Sequence, residues 1–217
     1  MRIALCNGYE MKISENRKIR IADEAGRGAG CIVYDAIYWD QMQIKHKIRV
    51  RECYPAYIQL TRAATGELVP SGNPEKFEKA KNRFTDAYKR NTDIRNTLGL
   101  TNSTVNAVDV ISCNHTVYIL LPMDEGIDYR YYEDQSLQEL FRHMKSLAQI
   151  ILKYHQKGYL HLDIKPENVL ILPETPEHVI LFDFDSVTAI GELQKNAGIP
   201  YSDGFSAPEQ MLSLIHI

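Results

Sequence analysis

The segment His161-Leu162-Asp163-Ile164-Lys165-Pro166-Glu167-Asn168 gathers the groups needed to move a phosphoryl group onto a hydroxyl. Asp163 can accept a proton from an incoming alcohol, and Lys165, two residues on, can neutralise charge on the group in transit. Asn168, five residues after the aspartate, can present an amide oxygen to a hard cation. Fifteen residues later comes Asp183 in Phe182-Asp183-Phe184-Asp185, behind an apolar run. A carboxylate at a strand end is a good Mg2+ ligand, and Asn168 and Asp183 on neighbouring strands make a site that phosphates can complete. The competing reading of 161–168 is a polar turn with a capping aspartate. Asp, Lys and Asn at these spacings, ahead of an apolar strand, favour the chemical one.

A second cluster is Gly26, Gly28 and Gly30. The β-formers Cys31, Ile32, Val33 and Tyr34 follow it, so it cannot open the helix that a dinucleotide fingerprint requires. The G-x-x-x-x-G-K-[ST] phosphate loop is absent. A glycine-rich hairpin can cover nucleotide phosphates. Taken alone, an ordinary glycine hairpin is the simpler account.

These residues need elements to hold them. Residues 17–39 read as two strands around the glycine turn. Residues 43–54 alternate, with Ile44, Ile48 and Val50 on one face and Lys45, Lys47, Arg49 and Arg51 on the other. A helix is expected from Asn73 and Pro74, with Phe77, Ala80, Phe84, Ala87, Tyr88 and Ile94 on its apolar face. Strands at 107–112 and 116–121 flank a Cys-Asn-His turn, making the first half mostly antiparallel β. Past Gly126, Leu137, Leu140, Phe141, Met144, Leu147, Ala148, Ile151 and Tyr154 mark one face of an amphipathic helix. Strands at 169–172 and 179–182 follow, joined by P-E-T-P-E, and 186–206 reads as a loop.

With 217 residues, 44% apolar and 24% charged, the composition is that of a globular protein and excludes disordered and low-complexity classes. A net charge of −3 offers no global basic excess for nucleic acid or an anionic membrane. The apolar patch at the N-terminus is too short for a signal peptide, and no run reaches the ~20 residues of a membrane span. Cys6, Cys31, Cys53 and Cys113 show no zinc spacing. Free thiols and a cytoplasmic location are expected.

From about Ile19 to Glu209 the chain resembles the protein kinase family, specifically a eukaryotic-like Ser/Thr kinase of bacterial type. G-R-G-A-G-C-I-V-Y, R-V-R-E-C-Y-P, Y-I-L-L-P-M-D-E-G, H-L-D-I-K-P-E-N, D-F-D and S-A-P-E-Q carry the likeness, in that order. It implies an α+β, two-lobed fold. A β-rich N-lobe with one long helix would span 1–121, a hinge 122–126, and a partial, mainly helical C-lobe 127–217. It implies ATP and Mg2+ as cofactors, protein Ser/Thr hydroxyls as acceptors, and no nucleic-acid partner or membrane segment within the chain. Asp163 and Lys165 would be catalytic, and Asn168 and Asp183 would hold the metal. Gly26, Gly28, Gly30, Val33, Arg51, Leu121 and Met123 would bind the nucleotide, with Leu121 as gatekeeper and Pro122 to Glu125 holding adenine through backbone bonds. Ala207, Pro208 and Glu209 would end the activation segment, and the Lys165-Pro166-Glu167 run matches Ser/Thr specificity.

The departures from that pattern are specific. Cys31 stands at the third glycine. Arg51 stands at the third-strand lysine and Arg49 at the small residue facing adenine, with Lys47 as the other candidate cation. The helical glutamate has no clear equivalent: Ala87 holds the expected place, and Asp86 and Glu78 are nearby acids. Leu162 replaces an arginine that meets activation-loop phosphate, and Asp185 replaces a glycine. These changes keep a pseudokinase or nucleotide-binding scaffold open as the alternative. A small-molecule phosphotransferase ranks last, because Lys165 and the A-P-E ending are both present. Only eight residues follow Glu209, and the final L-S-L-I-H-I does not match the family. The expectation is a C-terminally truncated domain with apolar surface exposed on its helical lobe.

Overall fold

Alternation of β-branched and aromatic residues with charged ones drives the first third of the chain into strands. The computed structural model describes residues 2–100, 104, 107–123, 126–132, 136–172, 175, 178–195 and 201–211. These fall into two compact units, Met1–Asp86 with Asn106–Met123, and Ala87–Val105 with Asp124–Ile217.

The first unit contains β1 (Glu10–Lys12), β2 (Lys18–Arg27), β3 (Cys31–Trp39), β4 (Lys45–Cys53), β5 (Leu60–Arg62) and β6 (Leu68–Pro70). The helix α1 (Pro74–Leu98), β7 (Asp109–Cys113) and β8 (Thr116–Pro122) follow. An antiparallel six-stranded sheet runs in the order β1-β2-β3-β4-β8-β7. On β3, Ile32, Tyr34, Ala36 and Tyr38 are buried while Val33, Asp35 and Ile37 are half-buried. The β7–β8 connection is a two-residue turn with Asn114 and His115 at φ 52 and 59, the mirror-image turn that matches strand twist. Asn73 caps α1, its Oδ1 accepting from Glu75 N at 2.8 Å. All six apolar positions expected on α1 are buried.

The basic strand departs from its simple alternation. Ile44 precedes β4 and is 51% exposed, because the chain is still turning there. Lys45, Lys47 and Arg49 are exposed as expected, but Arg51 is buried, together with Glu52 and Cys53. Glu52 is fully inaccessible and accepts hydrogen bonds from Tyr34 and Tyr118 hydroxyls, each at 2.8 Å, and from Arg62 Nη2 at 2.6 Å. A carboxylate survives without water only when paired this completely. Burial, and then the Glu52 charge, push both tyrosine hydroxyls well above their ordinary range, which keeps them donors.

The second unit contains β9 (Ile127–Asp128), α2 (Leu137–Gln156), β10 (Tyr159–Leu160), β11 (Val169–Ile171), β12 (Val179–Leu181), β13 (Thr188–Ala189) and α3 (Pro208–Met211). β12, β11 and β9 form one small sheet, and β10 pairs with β13. Ile94, Leu100, Ile150, Tyr154, Val169, Ile171, Val179, Leu181, Phe184 and Val187 make its core. Within this unit the last turns of α1 are tied down twice. Tyr154 OH donates to Asn91 Oδ1 at 2.7 Å, and Arg90 Nη1 donates to the Val187 carbonyl at 2.7 Å.

α2 starts with a capping box. Ser136 Oγ accepts from Glu139 N at 3.2 Å, and Glu139 Oε2 accepts from Ser136 N at 2.8 Å. Its buried side differs from the expected stripe. His143, Ile150 and Tyr154 are buried, whereas Leu137, Phe141 and Met144 are 69%, 66% and 57% exposed. The apolar face of the helix is broad, and the edge holding His143, Ile150 and Tyr154 is the buried part, with α2 packing against β10 and β12. The apolar surface anticipated for this part of the chain is therefore present on α2.

The stretch 186–206 is less irregular than expected, since it holds β13 and a 3-10 helix at Ile190–Lys195. Most of the P-E-T-P-E connection, Asp124 and Glu125 of the expected hinge, Gly198, Pro200 and L-S-L-I-H-I lie outside the described residues. No helix among the described residues is long and apolar enough to cross a membrane.

Candidate active site

In the second unit the chemistry-bearing loop is hung from the core by His161. α2 gives way at Gly158, which takes φ 75 with no side chain to oppose it, and β10 leads into the loop. His161 is buried, with its ring 5.6 Å from Phe184 and 6.4 Å from Tyr154, themselves stacked at 6.1 Å. Burial lowers the imidazole pKa to about 4, against the opposing pull of the Asp183 and Asp163 charges. The ring is neutral at neutral pH. The chain then turns through Leu162 at φ 64, a left-handed conformation that is costly for a leucine. Gln210 Nε2 of α3 pins that peptide by donating to the Leu162 carbonyl at 2.7 Å.

The turn presents Asp163, and four hydrogen bonds converge around it. Lys165 Nζ lies 2.8 Å from Oδ2. Asn168 Nδ2 donates to Oδ2 at 2.9 Å and to the Asp163 carbonyl at 2.8 Å. Ser202 Oγ donates to Oδ1 at 2.6 Å and in turn accepts from Lys165 Nζ at 3.0 Å. Partial burial raises the Asp163 pKa, but the bonds from Lys165, Ser202 and Asn168 and the Lys165 charge outweigh it. The carboxyl sits below its ordinary value and is ionised.

Asp163, Lys165 and Asn168 are thus brought together. Asp183 comes off the end of β12, where Phe182 N donates to the Asn168 carbonyl at 3.0 Å, so the two proposed metal ligands flank one ladder rung. Asp183 also takes a left-handed φ of 61, which turns the chain sharply after the strand. An amide oxygen and a carboxylate are the hard donors that Mg2+ takes, and the Asn168 amide is oriented with its nitrogen toward Asp163. The donor set fits such an ion. Among the described residues no cluster of three His, Cys, Asp or Glu forms a metal site of its own.

In the first unit the sheet register lines up the other candidates. Gly26 pairs with Val33, Val33 with Arg51 and Arg51 with Ile119, a row across four strands. Arg49 pairs with Leu121 in the next row on the same face, while Lys47 lies further along opposite Ile37. Gly28 and Gly30 sit in or beside the turn itself, and Met123 follows β8 with 38% exposure. Arg51 Nη2 donates to Cys31 Sγ at 3.4 Å, and its guanidinium stands 5.6 Å from the Phe84 ring of α1. Glu78, one candidate for the helical acid, is exposed and paired with Lys81 at 2.6 Å.

Ser202 was not foreseen. It sits in a polar, glycine-containing stretch with no periodicity, and its contact with Asp163 spans 39 residues of chain. Glu52 was also missed, because a charged residue inside an alternating basic strand reads as surface.

The family model described as "Protein kinase domain" matches residues 71–214. Curated relatives include citron rho-interacting kinase of Rattus norvegicus, 33% identical over 103 residues, covering 44% of this chain and 5% of that protein. Serine/threonine-protein kinase D of Synechocystis sp. is 27% identical over 131 residues, covering 57% and 26%. Serine/threonine-protein kinase ArnS of Sulfolobus acidocaldarius is 30% identical over 86 residues, covering 33% and 13%. The chain spans only a minor part of the length of each. A solved structure described as "PpkA-294 apo form" shares the fold, with a TM-score of 0.64 at 24% identity, covering 96% of this chain and 71% of that one.

Proposed function

Because this chain belongs to the protein kinase family, we propose that it transfers the terminal phosphoryl group of ATP to serine or threonine hydroxyls of protein substrates. The observation that carries this reading is the Asp163 carboxylate, ionised and already accepting a serine hydroxyl at 2.6 Å. That is the reach a general base needs to orient an acceptor and take its proton.

In this reading the acceptor oxygen attacks the phosphorus as its proton passes to Asp163. Lys165 Nζ, in contact with both Asp163 and the hydroxyl beside it, screens the charge of the transferring group. Asn168 and Asp183 are the residues that would hold Mg2+. When bound, such an ion supplies neutralisation of phosphate charge. Gly26, Gly28, Gly30, Val33, Arg51, Leu121 and Met123 carry the ATP-binding role. In the same reading, residues 1–121, 122–126 and 127–217 take the roles of N-lobe, hinge and C-lobe.

The test is transfer of label from γ-labelled ATP to a generic Ser/Thr protein acceptor by the purified chain. Asp163→Asn should lower its rate by about 10²–10⁴-fold. Equal labelling by wild type and variant, or none by either, ends the enzymatic reading.

One observation favours a second reading. Arg51 stands where a lysine is usual, and it is held by Cys31 and Phe84. A pseudokinase that binds nucleotide without turning it over would show a melting shift with Mg-ATP and no transfer.

A further inference from the structure

Cys31 opens β3 directly after the glycine turn, and Cys53 closes β4. The β3–β4 register pairs them face to face. In an antiparallel ladder, hydrogen-bonded pairs alternate with pairs that exchange no hydrogen bond. Tyr54 N donates to the Gly30 carbonyl at 3.1 Å, so Gly30 and Tyr54 are a hydrogen-bonded pair. The adjacent pair, Cys31 and Cys53, is therefore of the other kind. At such pairs the Cα atoms stand about 4.5 Å apart and the side chains approach most closely on one face. A disulfide needs Cα atoms roughly 4.4–6.8 Å apart with converging Cβ vectors. The Cα spacing typical of such a rung falls inside that window.

Neither cysteine is in a disulfide, and both are buried. Both project to the face that carries Val33 and Arg51, and Arg51 sets a donor and a positive charge 3.4 Å from Cys31 Sγ. Gly28 lies above it, and a Cβ added there would stand only 3.7 Å from Cys31 Sγ.

We propose that Cys31 and Cys53 are a redox modification site, forming a reversible cross-strand disulfide that ties the end of the glycine turn to the strand bearing Arg51. With a peroxide as oxidant, the Cys31 sulfur takes one oxygen as the O–O bond breaks, and one water leaves. The Cys53 sulfur then displaces that oxygen as a second water, and the S–S bond forms. Two thiols are oxidised and one hydrogen peroxide is reduced to two waters. A dithiol reverses the reaction by exchange. The bond stands independently of the kinase reading. Its effect on nucleotide binding rests on that reading, because Gly28, Gly30 and Arg51 are the groups it fixes.

The test is brief exposure of the folded 217-residue chain to hydrogen peroxide, alkylation of remaining thiols, and peptide mapping. Two of the four thiols should be lost and a Cys31–Cys53-linked peptide should appear. The link should persist in the Cys6→Ser/Cys113→Ser double variant and be absent from Cys31→Ser and from Cys53→Ser. The melting shift given by Mg-ATP should differ between oxidised and reduced protein and return on treatment with dithiothreitol. Four thiols still free, a link through Cys6 or Cys113, or conversion only to sulfinic acid would overturn the proposal. A Cys31–Cys53 link with no Mg-ATP shift in either redox state would uphold the site and sink the nucleotide reading instead.

Discussion

The hydroxyl of Ser202 donates to Oδ1 of Asp163 at 2.6 Å, and Lys165 Nζ bridges the two residues. Ser202 is itself held in a turn, its N–H donating to Ser206 Oγ at 2.9 Å and its carbonyl accepting from Ser206 N at 3.0 Å. Under the proposed function a serine so placed stands where an acceptor hydroxyl would meet the carboxylate, and its hydrogen bond is one of those that lower the Asp163 pKa.

The Asp163 pKa is depressed, so its ionised form is present above the ordinary carboxylate range and is lost only as pH falls through the lowered folded value. Phosphoryl transfer should therefore show no acidic limb attributable to Asp163 near neutrality. Ser202→Ala removes one of the lowering hydrogen bonds and should move that limb to higher pH. The pH profile of kcat/KM checks it, and an unmoved or downward-shifted limb contradicts the assignment.

Asp163→Asn keeps the shape of the side chain and removes the base. Loss of a positioned general base costs typically about 10²–10⁴-fold in rate. The expected outcome is a fall of that order in kcat with the Mg-ATP melting shift retained. Unchanged kcat would remove Asp163 from the chemistry.

His161 links the loop's position to pH. Its folded pKa is lowered to about 4 by burial, against an ordinary value near 6.5. The unfolded chain therefore binds the proton more readily, and stability falls as pH drops from about 6.5 toward 4. The loss over that window is roughly 3 kcal/mol for this group. Denaturant melts at stepped pH on wild type and His161→Phe should show a shallower acid dependence in the variant. Parallel curves would exclude His161 as the cause.

Glu52 and Arg62 bury their side chains to 0% and 5% exposure. Glu52→Ala would leave the guanidinium without its carboxylate and two tyrosine hydroxyls without their acceptor. The expected cost is about 3–5 kcal/mol. A urea melt reads it, and a loss below about 1 kcal/mol would mean water has entered the site.

The buried and exposed parts of the α2 apolar face give a paired test. Ile150→Ala deletes a side chain that is 2% exposed and should cost about 2–5 kcal/mol. Phe141→Glu alters a residue that is 66% exposed and should change stability by no more than about 0.5 kcal/mol while reducing aggregation. Equal losses from both would show that the Phe141 part of that face is covered in solution.

What the amino-acid sequence determined by itself is local. The glycine hairpin, the strand alternation around Ile48 and Val50 and the apolar face of α1 each follow from periodicity over a few residues, where backbone geometry alone decides which side chains share a face. The same holds for Asp163, Lys165 and Asn168, because one short loop carries all three and their spacing nearly fixes their meeting. The rest needed the tertiary structure, because it depends on partners dozens of residues away. Arg51 reads as one more cation on a basic strand until Cys31 and Phe84 close over it. Glu52 reads as surface until two tyrosines and Arg62 converge on it. α2 has a broad apolar face, and the packing against β10 and β12 selects the edge of it that is buried. Ser202 joins Asp163 only when α3 and the turn before it lie against the loop at 161–168, a contact that no spacing in the chain could signal.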